Sequence, residues 1–193
     1  MDLLDLKDYF YHYIINRYNG IPDYIYECFL SFLCIGIISL LLLFGLKKGF
    51  RLFSLLLLLE YLILFFLSTI FCRDFNEGQG YNFTPFWSYT ALQNCKKDFI
   101  VQIIMNVVAF IPVGILLGCS FYRMRWWKAL LIGCGLSIAT ETLQFMFKLG
   151  FAETDDVIHN STGCLIGFVI YKILYGLGKQ LKIVCGGKYS RAS

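Results

Sequence analysis

Between Asn106 and Gly167 a small set of polar side chains interrupts long apolar runs. Asn106 lies in IIMNVVAFIPVG, Glu141 and Gln144 in GLSIATETLQFMF, and Asp155, Asp156 and Asn160 in ETDDVIHNSTG. An acid inside a membrane span costs about 3 kcal/mol on insertion scales, so it is expected to have a partner and a task. A carboxyl held among amides and away from water is a candidate general acid or base, the role expected of Glu141, with Asp156 as the second catalytic candidate. Asn106, Gln144 and Asn160 carry amides that orient such a carboxyl or bind substrate oxygens. Asp155 and Asp156, nearer water, are expected to hold a cation or a substrate amine. The same residues also suit a structural use. Glu141 bonded to Asn106 and Gln144 would simply lock helices together, and an acid pair opening a helix, with Thr154 or Asp155 as cap, needs no catalysis.

The elements that must position these groups are membrane helices. The chain has 193 residues, 58% hydrophobic and only 16% charged, and its mean hydropathy is +0.65. Several apolar runs are long enough to cross a bilayer, which excludes an ordinary soluble domain. The runs predict about five spans, near 27–46, 52–72, 99–122, 129–149 and 157–177, in an all-α, polytopic integral membrane protein. The expected organisation is an N-terminal extracytoplasmic segment over 1–26, a helical membrane domain over 27–177 and a basic cytoplasmic tail over 178–193. The first run begins too late, and lacks the basic lead and cleavage site, to be a removable signal peptide.

Charge placement sets the expected orientation. Lys47, Lys48 and Arg51 fill the first short turn, Arg123, Arg125 and Lys128 the third, and Lys179, Lys182, Lys188 and Arg191 the tail, with no acid among them. By the positive-inside rule these regions face the cytoplasm and the N-terminus faces outward. The net charge of +4 is then a topology signal, and nucleic acid is not an expected partner. The basic tail is placed to rest on anionic lipid. With this topology Asn106 descends from outside, Glu141 and Gln144 ascend to it, and Asp155, Asp156 and Asn160 open the last span. All converge on the outer third of the bilayer.

The remaining features are weaker. Leu3, Leu6, Phe10 and Ile14 recur at helical spacing among tyrosines, predicting a short interfacial helix that ends near Asn19-Gly20 before Pro22. The external loop over 73–98 has a polar first half and an aromatic second half, NFTPFWSYTAL. That second half suits either an interfacial belt or a segment folded back over the helices. Glycines at Gly114/Gly118, Gly133/Gly135 and Gly163/Gly167 predict close helix packing. Pro112 is expected to kink the third span and free carbonyls near Ala109 and Phe110. The eight cysteines contain no CxxC; those inside spans read as packing residues, and only Cys72 and Cys95 could meet outside. Glu60 reads as an interhelical hydrogen-bond partner, and His159 beside two acids is a weak metal signal that points away from the Asp156–Asn160 stripe. The sequence holds no metal or cofactor motif, so neither is expected.

Four ordered motifs, NFTPF, NVVAFIPVGILLG, ETLQ and ETDDVIHNSTGCLIG, together resemble the VanZ-like family of bacterial membrane proteins over about residues 81–171. The resemblance implies a small polytopic membrane protein, and the namesake members are associated with resistance to teicoplanin and related lipoglycopeptides. The family's motif positions fall on Asn82, Pro85, Asn106, Pro112, Gly114, Glu141, Gln144, Asp156, Asn160 and Gly163. Asn82 thereby joins the substrate-binding candidates. Members often carry an Arg just before the acidic motif; here that region reads Leu149-Gly150-Phe151, with Lys148 the nearest cation.

The expected protein is a multi-pass protein of the bacterial cell membrane with an outward-facing polar pocket. Its expected partner is a membrane lipid or lipid-linked envelope precursor, with its protein partners left open. Three readings stay open: an enzyme using Glu141, a transporter or lipid- or drug-binding protein, and a non-catalytic partner of envelope-synthesis proteins.

Overall fold

A computed structural model describes residues 47–71, 80–93, 98–149 and 151–189. The expected interfacial helix, the first expected span and the Cys72/Cys95 pair lie outside the described residues. Helix α1 covers Lys47–Phe66 and runs into a π-helical turn, Leu67–Phe71. Strand β1 (Gly80–Asn82) and helix α2 (Trp87–Gln93) follow, then α3 (Asp98–Ser120), α4 (Trp126–Met146), β2 (Phe151–Glu153) and α5 (Thr154–Tyr189). The stretches Gly49–Ile70, Phe99–Ser120, Trp126–Met146 and Thr154–Gly178 are each long and apolar enough to cross a membrane. They correspond to the last four expected spans.

The boundaries differ at several helix ends. The turn after α3 is short because Arg125 already holds extended backbone (φ −89°, ψ 150°) and α4 starts at Trp126. Lys128 is therefore helical and not part of the turn. At the other end of α4, the Leu149 N–H reaches the Gln144 carbonyl at 2.8 Å and the Lys148 N–H reaches Phe145 at 3.2 Å. That pair of bonds is a Schellman ending, and Lys148, at φ 55°, occupies the left-handed position usually given to glycine. Helix α5 continues past the expected end of its span to Tyr189, so the basic stretch that follows begins as helix.

The bundle is organised on α3 and α5. A methyl group placed on Gly163 would overlap the Val107 carbonyl, one on Gly167 the Ile111 carbonyl, and one on Gly114 the Cys164 carbonyl. The two helices thus meet backbone to backbone, as small residues permit in a membrane. Gly133 brings α4 against Cys164, whereas nothing lies within 4 Å of a methyl group on Gly135. The paired reading of Gly133 and Gly135 is corrected accordingly: residues two apart on a helix face different ways. Helix α1 covers α3 through Leu58, Phe110, Val113 and Leu117, with Phe65 edge-on to Phe110 at 5.2 Å. The Tyr61 hydroxyl donates to the Ala109 carbonyl at 2.7 Å, within the turn that Pro112 deprives of a donor. Cys164 donates through Sγ to the Ala129 carbonyl at 3.3 Å, a packing role.

The aromatic segment over 80–93 folds back onto α5. Its β1 pairs in parallel with β2 in the register Gly80↔Phe151, Tyr81↔Ala152, Asn82↔Glu153. Helix α2 is tied down by Asp155 and packs Trp87 edge-on to Phe99 at 5.0 Å. Phe83, Phe86 and Tyr89 nonetheless keep exposed rings. The segment is both folded back and aromatic on its outer face.

Candidate functional site

Helix geometry brings the polar groups to one level. At 1.5 Å per residue, Asn106 lies about 12 Å from the start of α3, Glu141 about 8 Å from the end of α4, and Asn160 about 9 Å from the start of α5. On α4 the buried residues Ala129, Gly133, Ser137, Thr140, Glu141 and Gln144 form one face, at the spacing a helix requires. On α5 Asp156, Gly163 and Gly167 face α3, while Asn160, on the same stripe, reaches Ser137 of α4.

Glu141 is buried, and its Oε2 accepts the backbone N–H of Glu153 at 3.0 Å. An acid on α4 therefore holds the strand that leads into α5. Asn160, also buried, donates from Nδ2 to the Ser137 hydroxyl at 2.8 Å, and Ser137 sits one turn from Glu141. Gln102 of α3 places its amide 3.4 Å from both Glu153 Oε2 and Asp156 Oδ1, spanning two carboxylates. Gln102 thus joins the Glu153 and Asp156 carboxylates, Glu141 is linked to them through the Glu153 backbone, and Ser137 links the helix face of Glu141 to Asn160.

The other candidates fall elsewhere. The Nδ2 of Asn106 is buried with no hydrogen-bond partner, so it does not bond Glu141 or Asn160. Gln144 is buried but turns toward the π-helical turn after α1, where its amide lies 3.4 Å from the Thr69 carbonyl. Asn82 uses its side-chain oxygen locally, accepting the Thr84 N–H at 3.0 Å in an Asx turn.

Asp155 requires a correction. The sequence places it in water at the mouth of the last span, free to hold a cation. In the structure it is 1% exposed. Its Oδ1 accepts the Phe86 N–H, and its Oδ2 accepts the Ser88 N–H at 2.8 Å and the Ser88 hydroxyl. Adjacent helical residues face about a hundred degrees apart, so Asp155 turns to α2 while Asp156 turns to α3. Nor does Asp155 serve as the cap of its own helix, the role the structural reading offered: it satisfies the start of α2 instead. One turn on, the His159 Nε2 lies 3.3 Å from the Tyr89 hydroxyl, on the same α2 side.

Gln102, Glu153 and Ser88 are the residues that sequence reasoning missed. Gln102 precedes Asn106 by four positions and so shares its helix face, the one signal available for it. Glu60 lies mid-span on α1 and leaves Oε2 buried without a partner. Among the described residues, no three His, Cys, Asp or Glu side chains form a metal-binding group.

The site's chemistry is that of carboxylates set among amides and hydroxyls. Such a set can exchange a proton, or accept hydrogen bonds from hydroxyl and amine donors, while its amides donate to oxygen.

Apolar helices of spanning length, packed on glycine and with polar side chains gathered toward one end, define a multi-pass helical membrane protein. Within that class the chain belongs to the VanZ/LLP1 family, whose model matches residues 52–175. The match includes every candidate site residue. Protein VanZ of Enterococcus faecium is 34% identical over 114 residues, which cover 58% of this chain. The chain spans 66% of that relative's length, just under two thirds. No solved structure matches it significantly.

Proposed function

We propose that this chain lies in the bacterial cytoplasmic membrane and lowers susceptibility to teicoplanin-type glycopeptides. It does so by binding or acting on a cell-envelope component through its outward polar cluster. The observation that carries this reading is the pair of carboxylates, Glu153 and Asp156, on the Gln102 amide, with Glu141 bonded to the Glu153 backbone N–H. Polar groups kept at that depth in a membrane are costly, which makes a task for them the default expectation. A membrane lipid or lipid-linked envelope precursor, rich in hydroxyl and phosphate oxygens, offers suitable groups. Glu141 serves as acid or base, Asp156 as its partner, and Asn106 and Asn160 as donors to substrate oxygen.

The orientation follows from Arg123, Arg125 and Lys172 at the opposite end of the bundle. The N-terminus is outside and the C-terminus inside. The organisation into an interfacial segment, a membrane domain and a basic tail belongs to the same reading.

One observation favours a second reading. Glu141 holds a backbone N–H of β2, and Gln102 links β2 to α5, so the cluster also knits the outer end of the bundle. A structural partner of envelope-synthesis proteins would need no more. The deciding experiment is expression of the chain in a teicoplanin-susceptible enterococcus, measuring teicoplanin and vancomycin inhibition against an empty vector. A raised teicoplanin threshold is the expected result. An unchanged threshold at verified membrane expression defeats the resistance reading.

A further inference from the structure

The end of the bundle opposite the polar cluster carries a different arrangement. Tyr122 sits in the turn after α3. The Arg51 guanidinium of α1 lies 4.2 Å from the centre of its ring, and that of Arg123 lies 5.4 Å from it. From α5, Lys172 Nζ donates to the Tyr122 carbonyl at 2.9 Å. Cations from separate elements therefore meet on one residue. The acids of α5 are far away: sixteen residues of helix separate Asp156 from Lys172, about 24 Å. That is several times the screening length of about 8 Å at physiological salt, so those acids do not balance this end. Among the described residues, no carboxylate bonds Arg51, Arg123 or Lys172.

We propose that Arg51 and Lys172, joined through Tyr122, form a discrete site for the phosphodiester headgroup of an anionic phospholipid. Its place over the Tyr122 ring restrains the Arg51 guanidinium, whose N–H groups suit phosphate oxygens bound in pairs. Lys172 spends one donor on the Tyr122 carbonyl and retains two. Its Nζ also lies over the Phe168 ring, 5.2 Å from the centroid, which restrains it further. Both cations are held before a ligand arrives, so little side-chain freedom is lost on binding. Trp126 and Trp127, exposed at the start of α4, mark this level as a headgroup interface. The charge asymmetry places the site in the inner leaflet, where anionic lipid is available.

The test uses the full chain in a neutral detergent. Native mass spectrometry follows titration with phosphatidylglycerol or phosphatidylcholine of matched acyl chains. Phosphatidylglycerol should bind with higher occupancy. Arg51→Gln and Lys172→Gln should each weaken it about fivefold, the value of one basic residue at an anionic surface. Lys128→Gln, which removes a charge over Trp127 and away from Tyr122, should leave it within about twofold. Equal binding of the two lipids overturns the proposal, and that comparison needs no variant, so misfolding of a mutant leaves it decisive. Equal weakening by Lys128→Gln replaces the discrete site with diffuse attraction. Displacement of phosphatidylglycerol by inorganic phosphate at comparable concentration assigns the site to a free anion, and also overturns it.

Discussion

Asp155 takes both donors of Ser88, its backbone N–H at 2.8 Å and its hydroxyl, across a sequence separation of 67 residues. With the Phe86 N–H on its other oxygen, this buried carboxylate anchors the α2 segment to α5. Phe86 holds a left-handed φ of 63°, a conformation unusual for a bulky residue and maintained here by its bond to Asp155.

Asp155→Ala should therefore act on stability. It leaves the Phe86 and Ser88 donors without an acceptor in a buried setting, a loss of about 3 kcal/mol. Thermal unfolding in detergent should show a lower midpoint, and limited proteolysis should cut within residues 80–93. Asp156→Asn, on the other face, should change neither. An Asp155→Ala protein as stable and protease-resistant as wild type contradicts the anchoring role.

Glu141→Gln and Asp156→Asn separate use from architecture. Gln retains an oxygen for the Glu153 N–H, so the strand contact survives while the ionisable group is lost. Both variants should fold, with melting temperatures near wild type, and should lose any teicoplanin phenotype the wild type confers. Well-folded variants with full resistance favour the structural reading.

Gln102→Glu should be worse than Gln102→Met. The first sets a further carboxylate against Glu153 and Asp156, and the second only removes bonds that are long at 3.4 Å. A loss of about 1 kcal/mol is expected for Met and more for Glu, read from thermal unfolding. Equal stability of the two would place Gln102 outside the cluster in the membrane.

Gly163→Ala and Gly167→Ala should each cost about 1–3 kcal/mol, because the new methyl group meets a backbone carbonyl that has no rotamer to yield. Gly135→Ala, with open space around it, should be neutral or slightly stabilising. Expression level and melting temperature in detergent distinguish them.

Orientation can be read by labelling. On a cysteine-free background, a Cys at Thr84 should react with an impermeant maleimide in intact cells. A Cys at Arg125 should react only after permeabilisation. The reverse pattern inverts the topology.

The last four spans were legible because hydropathy over about twenty residues is a strong signal. So was the shared depth of Glu141, Asp156 and Asn160, which follows from rise per residue alone. The division of labour between Asp155 and Asp156 needed the position of α2, which the sequence of an aromatic loop leaves open between belt and folded-back segment. The β1–β2 bridge is three residues a side, too short for alternation to declare itself. Gln102 shares the helix face of Asn106, but its two acceptors come from distant elements. The Lys148 turn was hidden because a lysine occupies a place where glycine is the usual sign.

The glycine seam has a consequence for motion. Where α3 and α5 touch through their main chains, no side-chain rotamer is available to absorb sliding, so the pair behaves as a single strut. Helix α4 meets α5 through Gly133 and the Cys164 side chain and is joined to the cluster by hydrogen bonds, a softer attachment. An alternating-access cycle that parts α3 from α5 would break the tightest contact in the molecule. Any rearrangement of the bundle that spares this seam has to move α4 against the α3–α5 pair.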